Sequence, residues 1–190
     1  MLNLLFLIQL SDAYFANGNC PTPTLQANFN LNNYLGLWYD LVHTTDFFWE
    51  LGGECDVAQY SKSSTAGKIV VYNSEYKNNA WSSYQGSATC QSSAPSHCAV
   101  KFFPLAPAGD YEVVQTDYTN YTFIFSCTPT GTGHDMFFWI LARTKTFDYS
   151  SLLPLITSLG FPQSQIEKTI QTGCPNPPTP AGAEEFLADY

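Results

Sequence analysis

From Leu37 onward apolar and polar residues alternate with a period of two through eight separate runs. They are Leu37–His43, Asp56–Ser61, Lys68–Tyr76, Trp81–Thr89, Ala99–Phe103, Tyr111–Tyr118, Tyr121–Cys127 and Met136–Ala142. Each is rich in Val, Ile, Tyr, Phe, Thr or Trp and is bounded by Gly, Pro, Asn or Ser, the signature of half-buried strands. Thr119 and Asn120 leave a two-residue turn between the sixth and seventh runs, with Asn120 suited to positive φ. Ahead of the strands, Cys20-Pro-Thr-Pro reads as an extended tail, and Asn28–Asn33 as one short helical turn.

Beyond Arg143 the period changes. Leu152, Leu153, Ile156 and Leu159 recur at helical spacing. Asp148 or Ser150 is placed to cap that helix, Pro154 falls in its first turn and Gly160 stops it. Ser164 with Glu167 has the capping-box pattern of a second short helical turn. The Pro-rich stretch after Cys174 reads as a disordered tail. Eight antiparallel strands followed by one helix predict an all-β, closed up-and-down barrel with a C-terminal α-helix packed outside, an arrangement that leaves no exposed edge. A barrel of eight strands has an interior wide enough for one small ligand.

Length and composition sharpen this picture. At 190 residues the chain holds one domain. Sixteen acidic against seven basic side chains give a net charge of -9, which repels nucleic acid and anionic membranes. Only 12% of residues are charged, about half the ~25% of an average soluble domain, while 16% are aromatic. That surplus of aromatic surface is expected inside the barrel.

Met1–Leu10 is an apolar run with small residues after it at Ser11, Ala13 and Ala16, the shape of a secretory signal cleaved after Ala13 or Ala16. The alternative is a buried N-terminal helix or strand. The run is too short for a transmembrane segment, which needs roughly 20 residues. The domain plan is therefore a signal at 1–16, the barrel at 17–175 and the tail at 176–190. The even set Cys20, Cys55, Cys90, Cys98, Cys127 and Cys174 fits three disulfides and a secreted, extracellular protein. No CxxC pair occurs and His43, His97 and His134 stand apart from the cysteines, so no metal site is expected. Asn120-Tyr121-Thr122 is a sequon for N-glycosylation.

Three short motifs carry a family resemblance: Gly36-Leu37-Trp38-Tyr39 on the first strand, Thr116-Asp117-Tyr118 ending the sixth, and Arg143 closing the last in Phe138-Trp139-Ile140-Leu141-Ala142-Arg143. In this order and spacing the chain resembles the lipocalins over about Cys20–Cys174. It is most similar to the apolipoprotein D group, with its bilin-binding and carotenoid-binding members. The resemblance implies bridges Cys20–Cys127 and Cys55–Cys174 and leaves Cys90 to Cys98. It also implies a structural floor of Gly36, Thr116, Asp117, Tyr118 and Arg143, with Trp38 plugging the closed end beneath the Arg143 guanidinium.

With Cys127 facing outward to reach Cys20, parity turns Phe123 and Phe125 outward and Thr122, Ile124 and Ser126 inward. Phe137, Trp139 and Leu141 share the parity of Arg143 and rise along the inner wall. The resemblance adds Tyr111, Val113 and Gln115, Ala58 and Tyr60, and Ile69, Val71 and Asn73 to the lining. Such a wall suits a flat hydrophobic molecule. Phe47, Phe48 and Trp49 in the first inter-strand loop form a lid or a protein contact.

The expected function is carriage of a small hydrophobic ligand: a bilin such as biliverdin, a carotenoid or retinoid, a sterol or a fatty acid. A bound chromophore is the only cofactor this implies. No inward Lys or Arg awaits a carboxylate, Lys77 at the rim excepted. The alternatives are a subunit of a pigment or other complex, acting through loop contacts as a homodimer or higher oligomer, and a thiol-dependent lipocalin isomerase. With all six cysteines able to pair, no catalytic residue is expected.

Overall fold

All eight alternating runs are strands in the structure, a computed structural model that describes residues 14–45, 53–65 and 67–180. In chain order the elements are β1 (Tyr14–Asn17), α1 (Leu31–Tyr34), β2 (Gly36–Thr44), β3 (Glu54–Lys62), β4 (Lys68–Lys77), β5 (Ala80–Cys90), β6 (His97–Lys101), β7 (Gly109–Thr116), β8 (Tyr121–Thr130), β9 (Gly133–Ala142), α2 (Leu153–Ser158) and β10 (Ile166–Lys168). Strands β2 to β9 pair antiparallel in sequence order, and β9 returns to β2 through Tyr39 opposite Ala142, closing the barrel. Two strands outside the eight alternating runs extend it. β1 lies along β9, with Ala16 opposite His134, and β10 lies along β2, with Ile166 opposite Thr44.

Period two divides the apolar residues into two cores. Outward side chains of β8 and β9, among them Phe123, Phe125, Met136, Phe138 and Ile140, pack with Leu152, Ile156, Leu159 and Phe161 from the helical segment. Inward ones, among them Trp38, Tyr60, Val71, Val113, Ile124 and Leu141, form the second core. The three disulfides are Cys20–Cys127, Cys55–Cys174 and Cys90–Cys98.

Three local expectations are corrected. The turn after β7 is wider than two residues, and the positive φ falls at Tyr118 rather than Asn120. The cause is Asp117, whose Oδ1 accepts the backbone N–H groups of Thr119, Asn120 and Tyr121 at 3.1, 2.7 and 3.0 Å. The outer helix is only six residues, entered through a 3-10 turn at Ser150–Leu152, with Leu153 37% exposed rather than on its buried face. Asp148 Oδ1 accepts the Ser150 N–H at 2.9 Å, and Gly160 ends the segment at φ +95°. Finally, Ser164 and Glu167 form no capping box. Gln163–Gln165 makes a single 3-10 turn, and Glu167 lies in β10 opposite His43, because the upper half of β2 offers an unpaired edge there.

Candidate ligand cavity

The barrel floor is built around Trp38. Its Nε1–H donates to the carbonyl of Tyr34 at 2.8 Å, and the Arg143 guanidinium covers its ring. Arg143 also donates to the carbonyls of Leu37, Leu35 and Tyr118 at 2.8 to 2.9 Å, tying α1, the start of β2 and the β7–β8 turn to the end of β9. Gly36 is required here: its φ is +100°, and a Cβ would stand 3.3 Å from Arg143 Nη1.

Above the floor a cavity of about 450 Å³ opens into the barrel. Ala58, Tyr60, Ile69, Val71, Asn73, Tyr111, Val113, Ile124, Phe137, Trp139 and Leu141, all expected on the inner wall, line it. Ser126 lines it too, and three residues expected inward do not. One of them, Thr122, is fully buried beneath, its hydroxyl 3.3 Å from that of Tyr34. Trp38 is fully buried but screened from the cavity by Tyr34, whose ring centroid is 5.3 Å from the indole. Gln115 points to solvent and donates to the Tyr121 hydroxyl at 2.8 Å. A bulge between Val113 and Gln115 explains it: Val113 pairs with inward Ile124, but Gln115 pairs with outward Phe123. Phe47, Phe48 and Trp49 lie outside the described residues.

Other lining groups come from the α1 region, where alternation gives no guide, and from beyond Lys101, where β6 ends two residues short of the expected run and leaves Phe102 and Phe103 in a loop. Phe29, Leu31 and Tyr34 close the bottom from the α1 region, and Phe102, Phe103, Ala106 and Pro107 from the β6–β7 loop contribute elsewhere on the wall. Three hydroxyls meet inside. Tyr111 lies 2.7 Å from Tyr34 and 3.0 Å from Tyr60, and the Tyr34 hydroxyl is 3.3 Å from Thr122. Burial raises all three phenols, Tyr34 to about 12, so they act as neutral hydrogen-bonding groups.

The cavity wall also carries Asp40, Asp56 and Glu75. Gln171 braces this region: its Nε2 donates to the main-chain carbonyls of both Asp40 and Asp56 at 2.8 Å. The ladder between β2 and β3 ends at Tyr39 opposite Val57, so Gln171 stands in for the next rung. Burial, then the Asp40 charge, push the Asp56 carboxyl up to about 7; His43 opposes this and Glu75 adds to it. His43 Nδ1 itself lies 3.0 Å from Asp40 Oδ2.

Among the described residues, one trio brings His, Asp and Glu ligand atoms close enough to share a metal ion: His97, Asp110 and Glu112. Both His97 ring nitrogens are already engaged there, Nε2 with Asp110 at 2.6 Å and Nδ1 with Gln91 at 3.0 Å. All six cysteines are bridged, so none supplies a thiolate.

A family model described as a lipocalin-like domain matches residues 29–171. Apolipoprotein D of Mus musculus is 34% identical over 188 residues, covering 91% of this chain and 97% of its own. Apolipoprotein D of Cavia porcellus is 34% identical over 168 residues, covering 85% and 87%. Among solved structures, insecticyanin of the tobacco hornworm Manduca sexta superposes with a TM-score of 0.71 at 22% identity, covering 83% of this chain and 88% of its own. Lobster apocrustacyanin A1 does so with a TM-score of 0.68 at 19% identity, covering 83% and 91%. The likeness to these two structures is one of fold.

Proposed function

The chain belongs to the lipocalin family, and from that premise we propose that it is a secreted carrier that holds one small hydrophobic molecule inside its barrel. The observation that carries this reading is the cavity of about 450 Å³. That size lies within the 300–1,000 Å³ of small-molecule sites, and an apolar wall with a few converging hydroxyls is how such sites grip and orient a ligand. Trp139, Phe137, Tyr60 and Leu141 would hold a flat body, and the Tyr34–Tyr111–Tyr60 hydroxyls would orient its polar end. Bilins, carotenoids, retinoids, sterols and fatty acids are the candidate classes. With every cysteine bridged, binding is favoured over thiol catalysis.

Three disulfides support an extracellular setting. Asn120 is exposed beside the closed end, where its carbonyl accepts the Arg143 N–H at 2.9 Å, so a glycan there would leave the mouth open.

Mass spectrometry of an organic extract of the natively purified protein tests the reading, alongside absorbance titration with biliverdin and astaxanthin. One extracted hydrophobic compound, or saturation at one pigment per chain, is the expected result. A chain that carries nothing and shifts neither spectrum contradicts it.

A further inference from the structure

Three carboxylates occupy one row of the inner wall. The ladders pair Trp38 with Ala58 and Ala58 with Asn73. Two residues further from the floor on each strand stand Asp40, Asp56 and Glu75, and all three line the cavity. Asp40 is 4% exposed and Asp56 6%. Yet Oδ1 of each, with Glu75 Oε2 and Asn73 Oδ1, has no hydrogen-bond donor in reach among the described residues. A buried acceptor left unpaired costs about 1–3 kcal/mol, more when charged. His43 Nδ1 meets Asp40 Oδ2 and the Thr169 hydroxyl, and no Lys or Arg is among the described residues that line the cavity. Asp40 has a structural partner in His43, but the remaining acceptors of the row have none among the described residues, while on the same strands Ala58, Tyr60, Val71 and Ile69 pack as ordinary core.

We propose that this row is a head-group subsite for a protonated amine, so that the barrel takes amphipathic amines in preference to the matching alcohols or acids. An ammonium brings three N–H donors and one positive charge to a wall of unfilled acceptors. Its apolar body would lie along Leu141, which pairs with Asp40, and along Trp139 one step beyond. A bare divalent ion fits less well, because it needs several ligand atoms together and the three carboxylates do not place theirs within 4.8 Å of one another, whereas an ammonium is held by one or two of these acceptors at a time. An anionic head would meet only like charge. This inference rests on the carrier reading and narrows it from hydrophobic ligands in general to those with a cationic end.

The test is calorimetric titration of the full, disulfide-bonded protein at pH 8 with dodecylamine, dodecanol and dodecanoic acid below their aggregation limits. The amine is expected to bind at least tenfold more tightly than the alcohol, and the acid more weakly than either. In D56N/E75Q the amine's advantage should shrink below threefold while the alcohol's Kd stays within threefold of wild type. E75Q alone, at a half-buried position, gives the same comparison if the double variant does not fold. Equal affinity for amine and alcohol, or an advantage that survives these substitutions, overturns the subsite and leaves the carrier intact. Failure of all three compounds to bind overturns both.

Discussion

The guanidinium carbon of Arg143 stands 3.6 Å from the centroid of the Trp38 ring. Arg143 combines a cation–π contact with a fan of hydrogen bonds to main-chain carbonyls, a combination that only the planar, five-donor guanidinium supplies. Arg143→Lys keeps the charge and loses the fan. Urea unfolding is expected to show a loss of about 2–3 kcal/mol, since several charge-assisted bonds go unmade, while ligand affinity changes less than twofold because neither residue lines the cavity.

Trp139 and Gln115 provide a contrasting pair. Trp139→Ala removes a large face from the cavity wall and should raise the Kd of a bound pigment about 10- to 100-fold, in keeping with about 1.5–3 kcal/mol for a buried aromatic. Gln115→Ala should leave it within twofold, because the β7 bulge turns that side chain to solvent. Absorbance titration distinguishes the two. Equal losses would place Gln115 inside the barrel.

That bulge marks the limit of what the residue pattern discloses. The eight barrel strands and the inward faces of β8 and β9 follow from alternation, because an up-and-down barrel repeats one rule, one face in and one face out. The outer helix follows from its helical spacing, and the rest of the lining from the family resemblance. Gln115 escapes the rule because one extra residue reverses the parity of everything after it. Asp56 and Glu75 are a different case. They share the parity of Ala58 and Asn73, so the rule places them inward, whereas charge argues for solvent; parity prevails. Tyr34 lies in a helical turn, where period two says nothing. β10 was unreadable for a third reason: its three residues are held by the exposed edge of β2, a tertiary circumstance rather than a local preference.

Asp56 links this row to pH. Its carboxyl in the folded chain sits at about 7, above an ordinary 3.8. Between those values the folded protein retains a proton that the unfolded chain has released. Stability therefore falls as pH rises from about 4 to about 7, with a slope of at most ~1.4 kcal/mol per pH unit, and levels off above. Asp40, Glu75 and His43 are the charged neighbours that tune it. Scanning calorimetry of Asp56→Asn should show that slope removed and Tm raised at pH 8, by about 2–4 °C for each kcal/mol regained. A variant less stable than wild type at pH 8 would count against the unpaired state of this carboxylate.

Gln171→Ala deletes both bonds that replace the missing β2–β3 rung. Two buried carbonyls lose their donor at once. We expect a loss of about 2–4 kcal/mol and faster hydrogen exchange at Leu41–His43 and at Cys55–Val57. Unchanged exchange in both segments would show that the two strands hold together without it.

For a chain whose apolar N-terminus is removed as a secretory signal, β1 predicts the cut. Gly133 has no room for a Cβ, which would meet Phe15 and the Ala16 carbonyl, so β9 is shaped to receive β1. Tyr14 adds a ring contact with Phe161 at 5.6 Å. Cleavage after Ala13 keeps this strand, and cleavage after Ala16 leaves only Asn17 of it. Intact mass measurement of the secreted protein is expected to give Tyr14 as the first residue.

The rung donated by Gln171 also imposes a schedule on biosynthesis. A ribosome delivers β2 and β3 early, yet the side chain that satisfies the carbonyls of Asp40 and Asp56 is specified more than a hundred codons later. Until the C-terminal segment leaves the exit tunnel, that seam stays open to water and Cys55 has no Cys174 to meet. A chain released without its C-terminal segment should therefore hold a barrel with a gap in its side. The acidic row lies at that gap.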